Sequence, residues 1–178
     1  TIRIEMGGHV QKPGVYEAEF GTPMMEYINH VGGGVKNGKK LKAVIPGGLS
    51  CGVLTAKECE DLTLYYEALR ATGSSLGTGG MILMDEDTNM VEALKNILEL
   101  YHEESCGQCT PCREGTSWVD KTLDKFIVKT ATQEDLNILK SVSKSMNGKT
   151  ICVFAPAVSA VIDGFLKHFE SEFLECIV

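Results

Sequence analysis

Three cysteines separated by two-residue gaps, Cys106, Cys109 and Cys112, constrain this chain more than any other feature, and Cys152 follows forty residues later. Two-residue gaps let a short loop direct successive thiolates at one point, and a fourth ligand can come from a distant segment. Four cysteine thiolates arranged in this way can hold an iron–sulfur cubane. We therefore expect two segments that are far apart in sequence to meet around one cluster.

Other uses of these thiols fit the spacing less well. A structural zinc site usually pairs two Cys-x-x-Cys or Cys/His knuckles, and no second knuckle exists here. The bacterial ferredoxin run requires a cysteine at the position of Thr116. Seven cysteines are an odd number, and the triplet is too tightly spaced to pair in disulfides. We favour an iron–sulfur cluster over zinc or idle thiols, and we expect Cys51, Cys59 and Cys176 to be small buried side chains.

Composition excludes several classes of partner. The 178 residues are 43% hydrophobic and 23% charged, as in ordinary soluble domains, and the net charge is −7. This negative charge argues against nucleic acid or an anionic membrane surface. No apolar run approaches the length of a transmembrane helix, so we expect no direct membrane insertion. Free cysteines without a secretion signal indicate a reducing compartment.

Glycine usage divides the sequence in two, because 15 of the 19 glycines fall in the first eighty residues. We predict a domain at 1–86 and a second at 87–178. In the first, apolar patterns predict strands at 2–6, 15–20, 41–46 and 80–84, with the last in a central position. Thr22 is predicted to cap a short helix that ends at a left-handed Gly32. The fold class is α+β, a small roll of the β-grasp type.

The second domain is predicted to be a four-helix bundle. Thr88 or Asn89 caps the first helix, and the second follows the cysteine loop. A capping box at Thr132 and Asp135 starts the third. The last helix follows Cys152. The two cysteine segments would then meet at one end of the bundle.

Longer motifs carry a family resemblance. Residues 104–115 (ESCGQCTPCREG), 8–16, 42–48, 84–88 and 148–152 (GKTIC) resemble the NADH-binding flavoprotein subunit of respiratory complex I. They are equally similar to the matching subunits of NAD(P)-linked hydrogenases and formate dehydrogenases. The resemblance covers essentially the whole chain and implies a soluble-ligand-binding β-grasp followed by a 4Fe–4S helical domain. Residues 153–158 differ from the sequence that is commoner in the family at this place. The family's FMN- and NADH-binding domain has no counterpart in the 178 residues.

The resemblance also implies a function. One 4Fe–4S cluster, held by Cys106, Cys109, Cys112 and Cys152, would take single electrons from reduced FMN and pass them to partner clusters. The implied partners are an upstream FMN- and NAD(H)-binding domain, a thioredoxin-like 2Fe–2S subunit and a multi-cluster iron–sulfur subunit. The implied place is the peripheral arm of a larger complex, on the cytoplasmic or the mitochondrial or hydrogenosomal matrix side.

A relay of this kind needs no catalytic residues, so we assign none, and enzymatic activity would belong to the whole NAD(P)H oxidoreductase. Arg113 and Lys149 lie beside ligand cysteines and either ease electron acceptance by offsetting the negative charge of the cluster or are ordinary solvated surface charges. Trp118 could shield the cluster or simply pack. The alternatives are an NAD(P)-reducing hydrogenase or formate dehydrogenase subunit and, from another class, a partner-binding module with a structural metal.

Overall fold

The computed structural model describes all 178 residues as two compact units, Thr1–Thr88 and Asn89–Val178. The first unit is built on a five-stranded mixed sheet of order β2-β1-β5-β3-β4. Its strands are β1 (Ile2–Gly8), β2 (Gly14–Ala18), β3 (Leu41–Ile45), β4 (Leu54–Thr55) and β5 (Gly80–Asp85). The predicted central position of the last strand is confirmed, since β5 lies parallel to β1 and antiparallel to β3.

Three short helices, α1 (Met24–His30), α2 (Ala56–Glu60) and α3 (Tyr66–Ala71), accompany this sheet. Helix α1 buries Met24, Tyr27 and Ile28 in a core shared with the sheet residues Ile4 and Leu83. A helix packed on a mixed sheet confirms the predicted α+β class of the β-grasp type. Strand β4 and helices α2 and α3 were not predicted.

Two local predictions around α1 are wrong. The Thr22 hydroxyl donates to the carbonyl of Glu19, and Pro23 occupies the N-cap position without a side-chain cap. The left-handed residue after the helix is Gly33, with φ of 72°, rather than Gly32. Gly32 is instead a close-packing position, because a Cβ there would lie 2.7 Å from the Ile28 carbonyl oxygen.

A buried carboxylate organises the end of β5. Asp85 is only 5% exposed and accepts hydrogen bonds from Lys39 and the Thr88 hydroxyl, both at 3.0 Å, with His9 Nδ1 at 3.2 Å. Burial alone would raise the pKa of Asp85, but the hydrogen bonds from Lys39 and Thr88 and the field of His9 outweigh it and lower the pKa. Residues of the motifs at 8–16 and 84–88 therefore contact one another and stabilise this unit.

The second unit is a bundle of four helices, α4 (Met90–Glu103), α5 (Thr110–Ile127), α6 (Gln133–Met146) and α7 (Phe154–Leu174). Each helix packs against the next, and α7 packs back on α4, which closes the ring. The Asn89 side chain caps α4, and Thr132 and Asp135 form the predicted capping box of α6. No helix in the chain combines the length and apolar character needed to cross a bilayer.

The adjacent glycines that end β1 allow a matched test of the first unit. Gly8 has φ of 71°, and a Cβ there would lie 2.3 Å from the Leu83 carbonyl oxygen, whereas a Cβ at Gly7 meets nothing within 4 Å. We expect Gly8→Ala to destabilise this unit by about 1–3 kcal/mol, because it combines backbone strain with a clash. Amide hydrogen exchange of β1 and β5, which reports on this unit by itself, measures the loss. Gly7→Ala should stay within about 0.5 kcal/mol of the parent, and equal effects of the two changes would contradict this account.

Candidate iron–sulfur centre

The cysteine triplet is positioned by the start of α5. Cys109 is the N-cap residue of this helix, and its carbonyl oxygen accepts from the backbone N–H groups of Cys112 and Arg113, both at 3.0 Å. Gly107 has φ of 74°, a conformation that glycine adopts without strain. The loop therefore turns sharply between α4 and α5 and places Cys112 in the first helical turn.

The four cysteines named from the sequence line one cavity of about 160 Å³, together with Glu104, Thr150 and Phe154. The backbone N–H of Ile151 donates to Cys109 Sγ at 3.4 Å, so the two cysteine segments are directly linked across 42 residues. The structure therefore brings together all four predicted residues.

Four cysteine sulfurs around one cavity are a donor set that an iron–sulfur cluster or a zinc ion can use. Zinc holds its cysteine sulfurs at about 2.3 Å and draws four of them tightly together. A 4Fe–4S cluster is larger than a single ion, so four sulfurs that line a cavity of about 160 Å³ suit such a cluster.

Exposure differs strongly among the four thiols. Cys112 is 7% exposed and Cys109 is half-buried, whereas Cys106 and Cys152 are exposed. The inner side of the cavity is therefore shielded by protein, and the outer side opens to the surface. The outer side is apolar around Cys152, since Ile151 is 86% and Val153 81% exposed.

Arg113 braces the loop. Its Nη1 donates to the Gly107 carbonyl at 2.8 Å, and its Nε donates to the Glu114 carboxylate at 2.9 Å. The predicted electrostatic influence of Arg113 on a cluster is reduced, because Glu114 offsets its charge at the same place. Lys149 is exposed and stays a candidate for that influence.

Three lining residues, Glu104, Thr150 and Phe154, were not predicted as site residues from the sequence. Phe154 forms an apolar wall, and its ring packs edge-on against Tyr101 with centroids 5.2 Å apart. Glu104 also lines the cavity and is exposed. Trp118 does not line this cavity and is 58% exposed, so shielding by Trp118 is wrong. The position of Phe154, two residues after Cys152, was the available signal.

The other three cysteines lie apart from this site. Cys51, Cys59 and Cys176 are buried and unpaired, as expected for small apolar side chains. Burial, with a smaller contribution from the charge of Glu58, raises the pKa of Cys59 to about 12. This thiol therefore stays protonated and inert at neutral pH.

Comparison with known proteins agrees with this geometry. Residues 92–176 match the family model described as the NADH-ubiquinone oxidoreductase-F iron-sulfur binding region, and residues 3–82 match an SLBB domain. The NADH-quinone oxidoreductase F subunit of Rhodobacter capsulatus is 43% identical over 168 residues, 94% of this chain and 39% of the relative. The corresponding Rickettsia typhi protein is 40% identical over 173 residues, 97% of this chain and 41% of the relative.

The helical unit contains the iron–sulfur binding region of NADH-ubiquinone oxidoreductase-F, and the chain is homologous to part of NADH-quinone oxidoreductase F subunits. It spans about two-fifths of the length of the curated relatives it matches. A 4Fe–4S cluster is accordingly the cofactor of its helical unit. An NAD⁺-reducing [NiFe]-hydrogenase in the air-oxidized state shares the fold, with a TM-score of 0.87 at 23% identity over 99% of this chain and 30% of that one. The resemblance and the fold class inferred from the sequence are confirmed.

Thiol reactivity provides a test of this arrangement. In native protein stripped of metal, a short iodoacetamide pulse should modify the exposed Cys106 and Cys152 first and leave Cys59 unmodified, because only an accessible thiolate reacts. Peptide mass spectrometry measures the order, and urea-unfolded protein, in which all seven cysteines should react, is the control. Native Cys59 that is modified as fast as Cys106 would refute the burial described here.

Proposed function

We propose that this chain is the electron-relay portion of an NADH dehydrogenase of the oxidoreductase-F type. One 4Fe–4S cluster would be held by Cys106, Cys109, Cys112 and Cys152. The single observation that carries the proposal is that these four thiols, drawn from two segments, line one cavity inside the matched iron–sulfur region.

When bound, a 4Fe–4S cluster accepts and releases one electron at a time. The chain's own residues supply rigidity and shielding. The first turn of α5 fixes Cys112, the Ile151 N–H fixes Cys109 against the second segment, and Phe154 gives the cavity an apolar wall. Such a transfer needs no proton donor or nucleophile, which agrees with a cavity whose lining is mostly sulfur and apolar carbon.

The proposed electron donor is reduced FMN, which NADH reduces in another part of the whole subunit. The names of the relatives support this, since each is a subunit of an NADH-quinone oxidoreductase. A position in the peripheral arm, on the cytoplasmic or matrix side, follows from the same assignment. The hydrogenase alternative shares the fold at 23% identity, whereas the quinone-oxidoreductase relatives reach 43%, so we favour the latter.

The exposed apolar rim formed by Ile151 and Val153 supports a protein contact at the outer side of the cavity. Large apolar side chains that are more than four-fifths exposed beside a redox site are typical of surfaces covered by a partner. We assign this rim to the neighbour that receives the electron, a multi-cluster iron–sulfur subunit. A thioredoxin-like 2Fe–2S subunit would belong to the same complex.

Replacing the fourth cysteine tests the ligand set. Protein reconstituted anaerobically with iron and sulfide, and then reduced with dithionite, should give the low-temperature EPR signal of a one-electron-reduced 4Fe–4S cluster. Cys152→Ser should alter or abolish this signal, because one thiolate ligand is lost. Cys176→Ser is the matched control in the same unit and should leave the signal unchanged. A normal signal in Cys152→Ser, or tightly bound zinc and no signal in the parent, would refute the proposal.

Charged substitutions test the rim. In the assembled complex, Val153→Asp should weaken association with the iron–sulfur subunit at least about tenfold, since a carboxylate would be buried against apolar surface. The EPR signal of the isolated variant should be unchanged, because Val153 contributes its backbone and an exposed side chain only. Val128→Asp, on an exposed valine away from the cavity, is the control. Undiminished association of Val153→Asp would show that the rim is not the contact.

A further inference from the structure

Two of the four cavity sulfurs have hydrogen-bond partners from the protein. Cys109 Sγ accepts from the Ile151 N–H at 3.4 Å, and Cys112 Sγ lies 3.5 Å from the Ser105 hydroxyl oxygen. Cys106 and Cys152, the two exposed thiols, have no such partner at sulfur. The contact with Ser105 differs from the other because a side chain makes it, so a substitution can remove it.

The direction of the Ser105 contact follows from donor counting. A hydroxyl has one proton and can accept at its lone pairs. The N–H of Gly107 already donates to the Ser105 oxygen at 3.4 Å, which leaves the hydroxyl proton for another acceptor. A cysteine that binds iron is a thiolate without a proton. Ser105 is therefore the donor and Cys112 the acceptor once metal is bound.

The Ser105–Cys112 contact lies where a hydrogen bond has a strong electrostatic effect. Cys112 is the most buried of the four thiols, at 7% exposure, and hydrogen bonds are electrostatically stronger where water is excluded. A donor to sulfur stabilises the reduced, more negative state of an iron–sulfur cluster more than the oxidised state.

We propose that the Ser105 hydroxyl donates to the Cys112 thiolate and raises the reduction potential of the cluster, which makes Ser105 a positioning and tuning residue rather than a ligand. The same hydroxyl anchors the Gly107 N–H, and Arg113 holds the Gly107 carbonyl at 2.8 Å, so the loop that presents Ser105 is fixed from both sides of one glycine. This inference rests on the proposed four-cysteine cluster.

The test is an EPR-monitored redox titration of the reconstituted chain, with proton ENDOR spectra recorded in H₂O and D₂O. Ser105→Ala should keep its iron content and EPR signal, shift the midpoint potential to a more negative value, and lose one exchangeable proton coupling. Ser105→Thr, which retains a hydroxyl, should restore both. Thr116→Val is the matched control: the Thr116 hydroxyl donates to the carbonyl oxygen of the same Cys112, at 2.9 Å, and reaches no sulfur.

The outcomes separate this inference from the function it rests on. A full EPR signal in Ser105→Ala with unchanged potential and unchanged proton couplings would overturn the role of Ser105 and leave the four-cysteine cluster intact. Loss of the cluster in Ser105→Ala with retention in Ser105→Thr would overturn tuning, because the hydroxyl would then be needed to hold the cluster. Absence of the signal from the parent chain would instead refute the proposed function.

Discussion

The helical unit depends on the contact between the Cys152 segment and the cysteine triplet. Without metal, the Ile151 N–H donating to Cys109 Sγ is the direct bond that the structure places between the two segments. The bundle makes this contact possible, because the loop between α4 and α5 and the loop between α6 and α7 both lie beside the cavity. A site assembled from separate loops adds its metal-binding energy to the stability of the fold.

Within that site the burial of the sulfurs decreases outward. The inner sulfur, Cys112, is nearly inaccessible and receives a hydroxyl donor, whereas Cys106 and Cys152 face outward. We propose that the cluster is tuned from the inner side, where low polarity strengthens each hydrogen bond, and exchanges electrons through the exposed outer side. The proposed role of Ser105 thus belongs to the buried part of the site, and that of the apolar rim to its exposed part.

The sequence was most informative where structure is local. The Thr132–Asp135 capping box, the Asn89 cap and the four cysteines are short-range patterns, and the structure contains the caps and gathers the cysteines. Thr22 was misassigned because the helix begins one residue later than predicted: Pro23 occupies the N-cap position, and the Thr22 hydroxyl donates to the Glu19 carbonyl of the preceding turn. Strand β4 and helix α2 are too short for periodicity, although the Thr55–Glu58 capping box was a visible signal. The position of Phe154 against Tyr101, and the exposure of Trp118, depend on tertiary packing alone.

The β-grasp unit joins its first strand to its last. Strand β1 pairs in parallel with β5, so Met6 and Met81 become neighbours only after most of this unit has been made. Contacts of such long sequence separation slow folding, since the intervening chain must be ordered first. On the ribosome, the β1–β2 hairpin would emerge with one edge open until β5 arrives to fill the centre of the sheet. The order of synthesis therefore makes the middle strand the last to be added, and this unit is most vulnerable to wrong pairing just before it is complete.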